Sequence, residues 1–287
     1  MDVSLIVCSI DDAKFQRTAT QFSQSLAGAQ FEIIRVPDAR SLAEGYNRAI
    51  DRAQGRIILM SHDDVELAAP RLWDRIRGHM EHCDVLGVVG TRYYSGDTWG
   101  LIGVPYLVGQ VANPAPAPGG APFTGPFGVS IFGLAAPRVD GIHAADGLFL
   151  AARRTAFDRV RFDAETFDGF HAYDVDFTYR VYRSGLRLAV ATDLAPIHGS
   201  YGTFDDKYMM YYKRLDEKHR ATVPRRIQRQ YRFAFVQVAD RAELLSVMLP
   251  AEYPLDLTPA PPGGINVTGV SRGAGFKINA LSGAPQT

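Results

Sequence analysis

Two adjacent carboxylates follow an apolar segment in the first quarter of the chain. Residues 57–60 are Ile, Ile, Leu and Met, and Ser61, His62, Asp63 and Asp64 come directly after them. Such a run predicts a buried strand, and ligands of open α/β sheets bind at the carboxyl ends of strands. Neighbouring acids repel each other unless a cation lies between them. The acids are therefore predicted to bind a divalent metal that carries a diphosphate, and an Asp-rich helix cap after the strand is the alternative.

Other polar residues follow neighbouring apolar segments. The segments at 3–8 and 31–36 end at Ser9 and Asp38. Predicted helices at 13–27 and after Ser41 separate these strands, and a further strand is predicted at 85–89. This alternation indicates βαβ units and a mostly parallel sheet whose polar strand ends share one edge. The first half of the chain contains neither GxGxxG nor a Walker motif, the glycine-rich sequences that commonly bind nucleotide phosphates.

The composition is that of a globular enzyme. The chain has 287 residues, no formal net charge, 46% hydrophobic and 22% charged residues. A neutral chain argues against nucleic acid as a partner, because phosphate binding requires excess positive charge. The sequence shows neither a basic leader nor an apolar run of about 18 residues, and we therefore expect a cytoplasmic protein. The basic run at 225–232 is typical of a solvated surface; contact with an anionic membrane at its inner face is the alternative.

The second half offers further candidates. Low regularity is expected between residues 91 and 140, where prolines and glycines cluster and aromatic residues such as Trp99 suit stacking on sugars. Asp146 precedes an apolar strand, and Tyr173 and Asp174 precede a helix predicted at 177–184. His198 follows a short strand, a helix is expected at 206–220, and a Pro/Gly-rich tail begins at 259.

These motifs, in this order, resemble the nucleotide-sugar glycosyltransferases of the GT-A fold, particularly bacterial family 2 and its capsule-type subgroup. The matching segments run from the first strand to His198; they are 3–9, Asp38, 45–49, 61–64, 146–152, 173–176 and 197–198. The resemblance implies a catalytic domain at 1–205 with an acceptor-side insertion at 91–140, a helical or mixed extension at 206–258 and a tail at 259–287.

The resemblance also implies roles. Asp64 and His198 would bind Mn²⁺ or Mg²⁺, and Asp174 would be the general base of an inverting transfer. The donor, a nucleotide-diphosphate sugar with a UDP-sugar favoured, would contact Ser9, Asp38, Asn47, Arg48, Asp63 and Asp146. The acceptor, a glycan or a lipid-linked molecule, would contact Trp99, His171 and Tyr173. Asp176, with Arg180 four residues on, is interpreted as part of a surface ion pair.

Two positions depart from the family pattern. The earlier acidic position of the metal motif is held here by Ser61 or His62, and the usual Glu-Asp at the later helix start is Tyr173-Asp174. Two other functions remain open. A sugar nucleotidyltransferase shares the sheet but needs a basic, glycine-rich loop after the first strand, and a sugar-nucleotide-binding protein without turnover would not depend on Asp174.

Overall fold

The computed structural model describes residues 1–96, 99–103, 105–115, 123–200, 205–224 and 233–250. The strands in these ranges are β1 (Val3–Cys8), β2 (Phe31–Val36), β3 (Ile57–Ser61), β4 (Val65–Leu67), β5 (Val85–Gly87), β6 (Val89–Thr91), β7 (Leu107–Pro114), β8 (Phe127–Gly133), β9 (Arg138–Asp140), β10 (Ala144–Ala145), β11 (Phe149–Arg153), β12 (Leu188–Ala191), β13 (Pro196–His198) and β14 (Ala234–Val238). The helices are α1 (Asp12–Ser25), α2 (Leu42–Ile50), α3 (Leu72–Met80), α4 (Tyr173–Arg183), α5 (Asp206–His219) and α6 (Arg241–Met248).

The main sheet has the strand order β2-β1-β3-β11-β5-β12-β9. Pairing is parallel for β1 with β2, β1 with β3, and β5 with β12, whereas β11 and β9 run antiparallel to their neighbours. Five of the seven strands therefore share one direction, which places the ends of β1, β2 and β3 at one edge. The predicted α/β class with a mostly parallel sheet is confirmed.

Helices cover both faces of this sheet. Side chains alternate along a strand, so Leu5 packs in one apolar cluster with α1 and α3, and Ile6 packs in another with α2 and α4. The first cluster contains Phe22 of α1, and the second contains Tyr46 of α2. Burial on both faces explains why the strand segments are almost wholly apolar.

A second sheet replaces the irregular segment expected between residues 91 and 140. Its order is β10-β6-β7-β13-β4, with β8 paired to β7 and β14 paired to β8. The predicted strand at 85–89 is two strands, because the chain leaves the main sheet at Val88 and enters the second sheet as β6. Pro114, the first proline of the cluster, stands at the end of β7, and residues 116–122 lie outside the described residues.

Two predicted helices differ in how well they match. The helix expected at 177–184 begins at Tyr173, so Asp174 lies in the first turn of α4. The helix expected at 206–220 is confirmed as α5. Within the ranges given above, none of the helices has the length and apolarity that crossing a bilayer requires. The basic run at 225–232 and the tail at 259–287 lie outside the described residues, and the proposed domain boundaries stay predictions.

Candidate active site

Three side chains form a cluster suited to a metal ion. They are His62 and Asp64, which follow β3, and His198, which ends β13. One ligand atom from each lies within 4.8 Å of the other two. The antiparallel pairing of β13 with β4 sets His198 opposite Val65, which brings the end of β13 next to the end of β3. The cluster thus joins the main sheet to the second sheet.

Asp64 and His198 are close neighbours in the cluster. Nε2 of His198 lies 3.3 Å from Oδ1 of Asp64, with 18% and 14% of the two side chains exposed. Burial alone would lower the pKa of His198, but the hydrogen bond with Asp64 and its negative charge raise that pKa overall. Burial would also raise the pKa of Asp64, and the same partner holds it well below its usual range. The carboxylate is therefore ionised and ready to bind a cation.

Asp174 is buried at the start of α4. Its Oδ2 accepts a hydrogen bond of 2.7 Å from the backbone N–H of Gly147. Burial, and next the negative charge of Asp146, raise the pKa of Asp174 to about 7, although backbone hydrogen bonds from Gly147 and Val175 oppose the shift. A carboxyl group with a pKa near 7 can accept a proton at neutral pH, as a general base must.

A tyrosine links the metal cluster to Asp174. The hydroxyl of Tyr173 lies 3.0 Å from Nε2 of His62 and 3.5 Å from the carbonyl oxygen of Gly147. The ring is buried beside Tyr46, with centroids 5.9 Å apart. Tyr173 was predicted on the acceptor side; the structure places its ring in the interior, with 3% of the residue exposed.

Ser9 and Asp63 meet at the end of β1. The hydroxyl of Ser9 donates a hydrogen bond of 2.7 Å to Oδ2 of Asp63. The ammonium group of Lys14 lies 4.0 Å from the other carboxylate oxygen, and the hydroxyl of Thr18 donates to the Asp63 backbone at 2.8 Å. The two predicted donor-binding residues are thus side by side, with a half-exposed lysine that the sequence interpretation did not include.

Asp38 and Arg48 bind each other on the surface. Two hydrogen bonds of 3.0 and 2.8 Å join the guanidinium group of Arg48 to the Asp38 carboxylate. Asn47 uses its amide differently: it donates to the carbonyl of Phe162 at 2.8 Å and accepts from the N–H of Phe162 at 3.1 Å. Both polar atoms of the Asn47 amide therefore hold the backbone at Phe162, and the contact of Asn47 with the donor stays a prediction.

The remaining predicted residues divide into two groups. Asp146 accepts a hydrogen bond of 3.2 Å from the indole N–H of Trp99, which places these two together near Asp174. His171 lies against Tyr208 and Tyr211 of α5, with ring centroids 5.5 and 6.2 Å apart. Trp99 and His171 were both predicted on the acceptor side, and these contacts place them against different parts of the structure.

Asp176 is not a surface residue. It is fully buried and binds Arg180 at 2.7 Å, Lys218 at 2.6 Å and His219 at 2.8 Å. The interpretation as an ordinary pair with Arg180 was incomplete, since the two partners on α5 are far away in the sequence. The cluster fixes the end of α5 against the helix that carries Asp174.

Sequence reasoning did not include His62 among the candidate metal ligands. The residue stands in the same motif as Asp64, but a turn at residues 63 and 64 brings the two side chains together, and the strand period does not predict such a turn. Helix α5 was also assigned to an extension outside the catalytic domain. Tyr208 of this helix lies against His171, and Asp174 is among the charges that influence its buried neighbour Tyr212. The packing of α5 beside His171 depends on tertiary contacts, which the hydrophobic periodicity of the sequence does not predict.

Residues 4–219 match the model of a glycosyltransferase-like family, so the match extends through α5. It supports the resemblance drawn from the motifs. A search of curated proteins finds no match.

Solved structures give weaker similarities. Residues 1–349 of Staphylococcus aureus TarS share 15% identity, with 69% of this chain and 60% of that chain covered and a TM-score of 0.39. A Pyrobaculum calidifontis mannosyltransferase, solved with GDP-Man and Mn²⁺, shares 12% over 74% of this chain and 60% of that chain, with a TM-score of 0.41. GalNAc-T7, solved with UDP, GalNAc and Mn²⁺, shares 11% over 76% and 48%, with a TM-score of 0.43. The chain thus spans about 60% of the length of the first two.

Proposed function

Because this chain belongs to the glycosyltransferase-like family that its residues 4–219 match, we propose that it transfers a sugar from a nucleotide-diphosphate donor to a hydroxyl group. The observation that carries the proposal is the cluster of His62, Asp64 and His198 beside the linked residues Tyr173, Gly147 and Asp174. A cation site and a buried base are the two groups that such a transfer needs. We further propose that the transfer belongs to the synthesis of a polysaccharide or glycoconjugate.

The donor atoms of the cluster fit a divalent ion. Two imidazoles and one carboxylate suit Mn²⁺ better than Mg²⁺, which prefers oxygen ligands. A bound ion supplies neutralising charge for a diphosphate leaving group. Ser9, Asp63 and Lys14 lie where β1 ends and are proposed to contact the donor nucleotide, a UDP-sugar in the favoured case. Asp38 lies at the end of the neighbouring β2 and is proposed to contact the base.

Asp174 is proposed to remove the proton from the acceptor hydroxyl. As that oxygen forms its bond to the anomeric carbon, the bond from this carbon to the diphosphate oxygen breaks, and the diphosphate leaves with the electron pair. A single displacement of this kind inverts the anomeric configuration. Asp146, held by Trp99, is proposed to accept hydrogen bonds from sugar hydroxyls. The acceptor, a glycan or lipid-linked molecule, is proposed to approach along Trp99 and His171.

Calorimetric titration of UDP, GDP and dTDP, each with and without Mn²⁺, tests the donor part of this proposal. One of the diphosphates should bind in a metal-dependent manner to the wild-type chain and lose that dependence in Asp64→Ala. Asp140→Ala is the matched control, because this carboxylate is 63% exposed on β9 and pairs there with Arg138. If none of the diphosphates binds under either condition, the transferase proposal is wrong.

The binding-protein alternative needs a separate measurement. A protein that only binds sugar nucleotides has no use for a base, so Asp174→Asn would leave its affinity and its only function unchanged. In a transferase, Asp174→Asn would still bind the donor but would no longer release the nucleoside diphosphate from it. Comparing binding and diphosphate release in the same preparation separates the two functions.

A further inference from the structure

The two positions at which this chain departs from the family pattern are in contact with each other. His62 is one of the two residues that can hold the earlier acidic position of the metal motif, Ser61 being the other, and Tyr173 stands where the glutamate of Glu-Asp is usual. Although 111 residues apart in the sequence, they are joined by the 3.0 Å contact between Nε2 of His62 and the hydroxyl of Tyr173. The contact therefore links the motif that carries Asp64 to the helix start that carries Asp174.

We propose that Tyr173 is a positioning residue that holds His62 as a metal ligand through its Nδ1 atom. The inference rests on the proposed function, because it concerns the ion that the transfer uses. With Nε2 engaged by the tyrosine, Nδ1 is the ring nitrogen that remains for an ion shared with Asp64 and His198. Partners of this kind, which orient a ligating histidine and fix its tautomer, are a general feature of metal sites.

The hydrogen bonds have a consistent direction. A ligating Nδ1 leaves the proton of a neutral imidazole on Nε2, and this N–H donates to the oxygen of Tyr173. The tyrosine O–H then donates to the carbonyl of Gly147 at 3.5 Å. The N–H of the same glycine donates to Asp174 at 2.7 Å. One glycine thus connects the orientation of the metal ligand to the orientation of the base.

The surroundings fix Tyr173 in this position. The ring is 3% exposed and packs at centroid distances of 5.9 Å from Tyr46 and 6.0 Å from Phe162. Gly147 is required for the contact, because a Cβ there would lie 2.5 Å from the Tyr173 hydroxyl. The hydroxyl is therefore held in place before any ion binds.

Mn²⁺ titration of the full chain by calorimetry tests the proposal. Tyr173→Phe keeps the ring and removes the hydroxyl, and we expect its Kd for Mn²⁺ to rise about 10- to 100-fold. The matched control is Tyr179→Phe on the same helix, a buried tyrosine whose hydroxyl donates to the carbonyl of Thr222 at 2.9 Å, away from the cluster. This control loses one hydrogen bond and should retain the Kd of the wild type.

A double-mutant cycle shows whether the tyrosine acts through His62. His62→Ala should weaken Mn²⁺ binding at least as much as Tyr173→Phe, and adding Tyr173→Phe to His62→Ala should cause no further loss. A Kd for Tyr173→Phe equal to that of the wild type would overturn the proposal while leaving the proposed function intact. A wild-type chain that binds neither Mn²⁺ nor a nucleoside diphosphate would overturn both.

The tautomer of His62 gives a test that needs no change at Tyr173. Long-range ¹H–¹⁵N correlation spectra of the metal-free wild-type protein distinguish the two neutral forms, and His62→Ala assigns the signal. We expect the form with the proton on Nε2. A proton on Nδ1 would contradict the assigned role, even if Tyr173→Phe proved too unstable to measure.

Discussion

Oδ2 of Asp174 accepts a hydrogen bond of 2.7 Å from the N–H of Gly147, and the Asp146 carboxylate on the preceding residue raises the pKa of the same acid. The short segment before β11 therefore both orients Asp174 and adjusts its proton affinity. Three neighbouring tyrosines, 46, 173 and 212, keep their protons at neutral pH, because burial and the charge of Asp174 raise their pKa values. They therefore add no negative charge beside Asp174. Burial is the larger cause of the raised pKa of Asp174, and Asp146 is the charged neighbour that adds to it.

Transfer is predicted to depend on ionised Asp174. Since burial and Asp146 raise the pKa of Asp174 to about 7, kcat/KM should rise with pH up to about 7 and level off above it. Asp174→Asn should lower kcat by about 10²- to 10⁴-fold, the usual contribution of a general base. A pH series of initial rates measures both. A rate that is flat between pH 5 and 8 in the wild type would contradict the assignment.

The same pKa predicts how stability depends on pH. The folded-state pKa of Asp174 is about 7, above the ordinary value of 3.8, so folding favours the protonated form. Its contribution is complete below pH 4 and is lost as the pH rises to 7 and beyond. Asp174→Asn imitates the protonated state, and its melting temperature relative to the wild type should increase over this range. Thermal unfolding at pH 5 and pH 8 measures the difference.

Gly147→Ala is predicted to disturb the site. A Cβ at Gly147 would lie 2.5 Å from the Tyr173 hydroxyl and 2.6 Å from Cβ of Asp174, so the backbone must shift. We expect loss of transfer and weaker Mn²⁺ binding, measured by initial rates and calorimetry. Gly78→Ala is the control, because nothing lies within 4 Å of its Cβ and it lies in α3. That helix substitution should stabilise the protein by about 0.5–1 kcal/mol and leave the transfer rate unchanged.

The sequence predicted the parts of the molecule that depend on local pattern. The apolar runs of β1, β2 and β3 indicated a parallel sheet, and the acids after β3 indicated where the candidate metal cluster lies. It did not predict that His62 contacts Tyr173, because 111 residues separate them and only the packing of α4 brings them together. The environment of Asp176 was missed for the same reason: an i,i+4 arginine is visible in the sequence, whereas Lys218 and His219 become neighbours only when α5 docks.

The proline and glycine content of residues 91–140 predicted local structure less well than the apolar runs of the main sheet did. Prolines and glycines between residues 91 and 140 suggested an insertion without regular structure, yet β7 and β8 pair from Gly109 to Pro114 with Phe127 to Gly133. Strands of a second sheet need apolar residues on only one face, so their signal is weaker than that of the central strands. The motifs at strand ends were more informative because ligand chemistry restricts their residue types.

Asp176→Asn is predicted to destabilise the fold strongly. The carboxylate is fully buried and pairs with Arg180, Lys218 and His219, so its loss removes the negative charge that these three side chains share in the interior. Removing one member of a buried ionic cluster typically costs about 3–5 kcal/mol. Chemical denaturation measures the free energy of unfolding. Asp74→Asn breaks exposed pairs with Arg71 and Arg77 on α3 and should change the free energy of unfolding by about 0.5 kcal/mol or less. Equal effects of the two variants would contradict the stabilising role of Asp176.

Asn47→Ala distinguishes a structural role from a ligand-binding role at a residue that the resemblance assigned to the donor. The amide of Asn47 pairs with both the carbonyl and the N–H of Phe162, at 2.8 and 3.1 Å. Its removal leaves these backbone groups without a side-chain partner, at a cost of about 1–3 kcal/mol in the free energy of unfolding. The affinity for the nucleoside diphosphate that the wild type binds should be unchanged. Denaturation and calorimetry on the same variant measure the two quantities, and weaker nucleotide binding at unchanged stability would return Asn47 to the donor site.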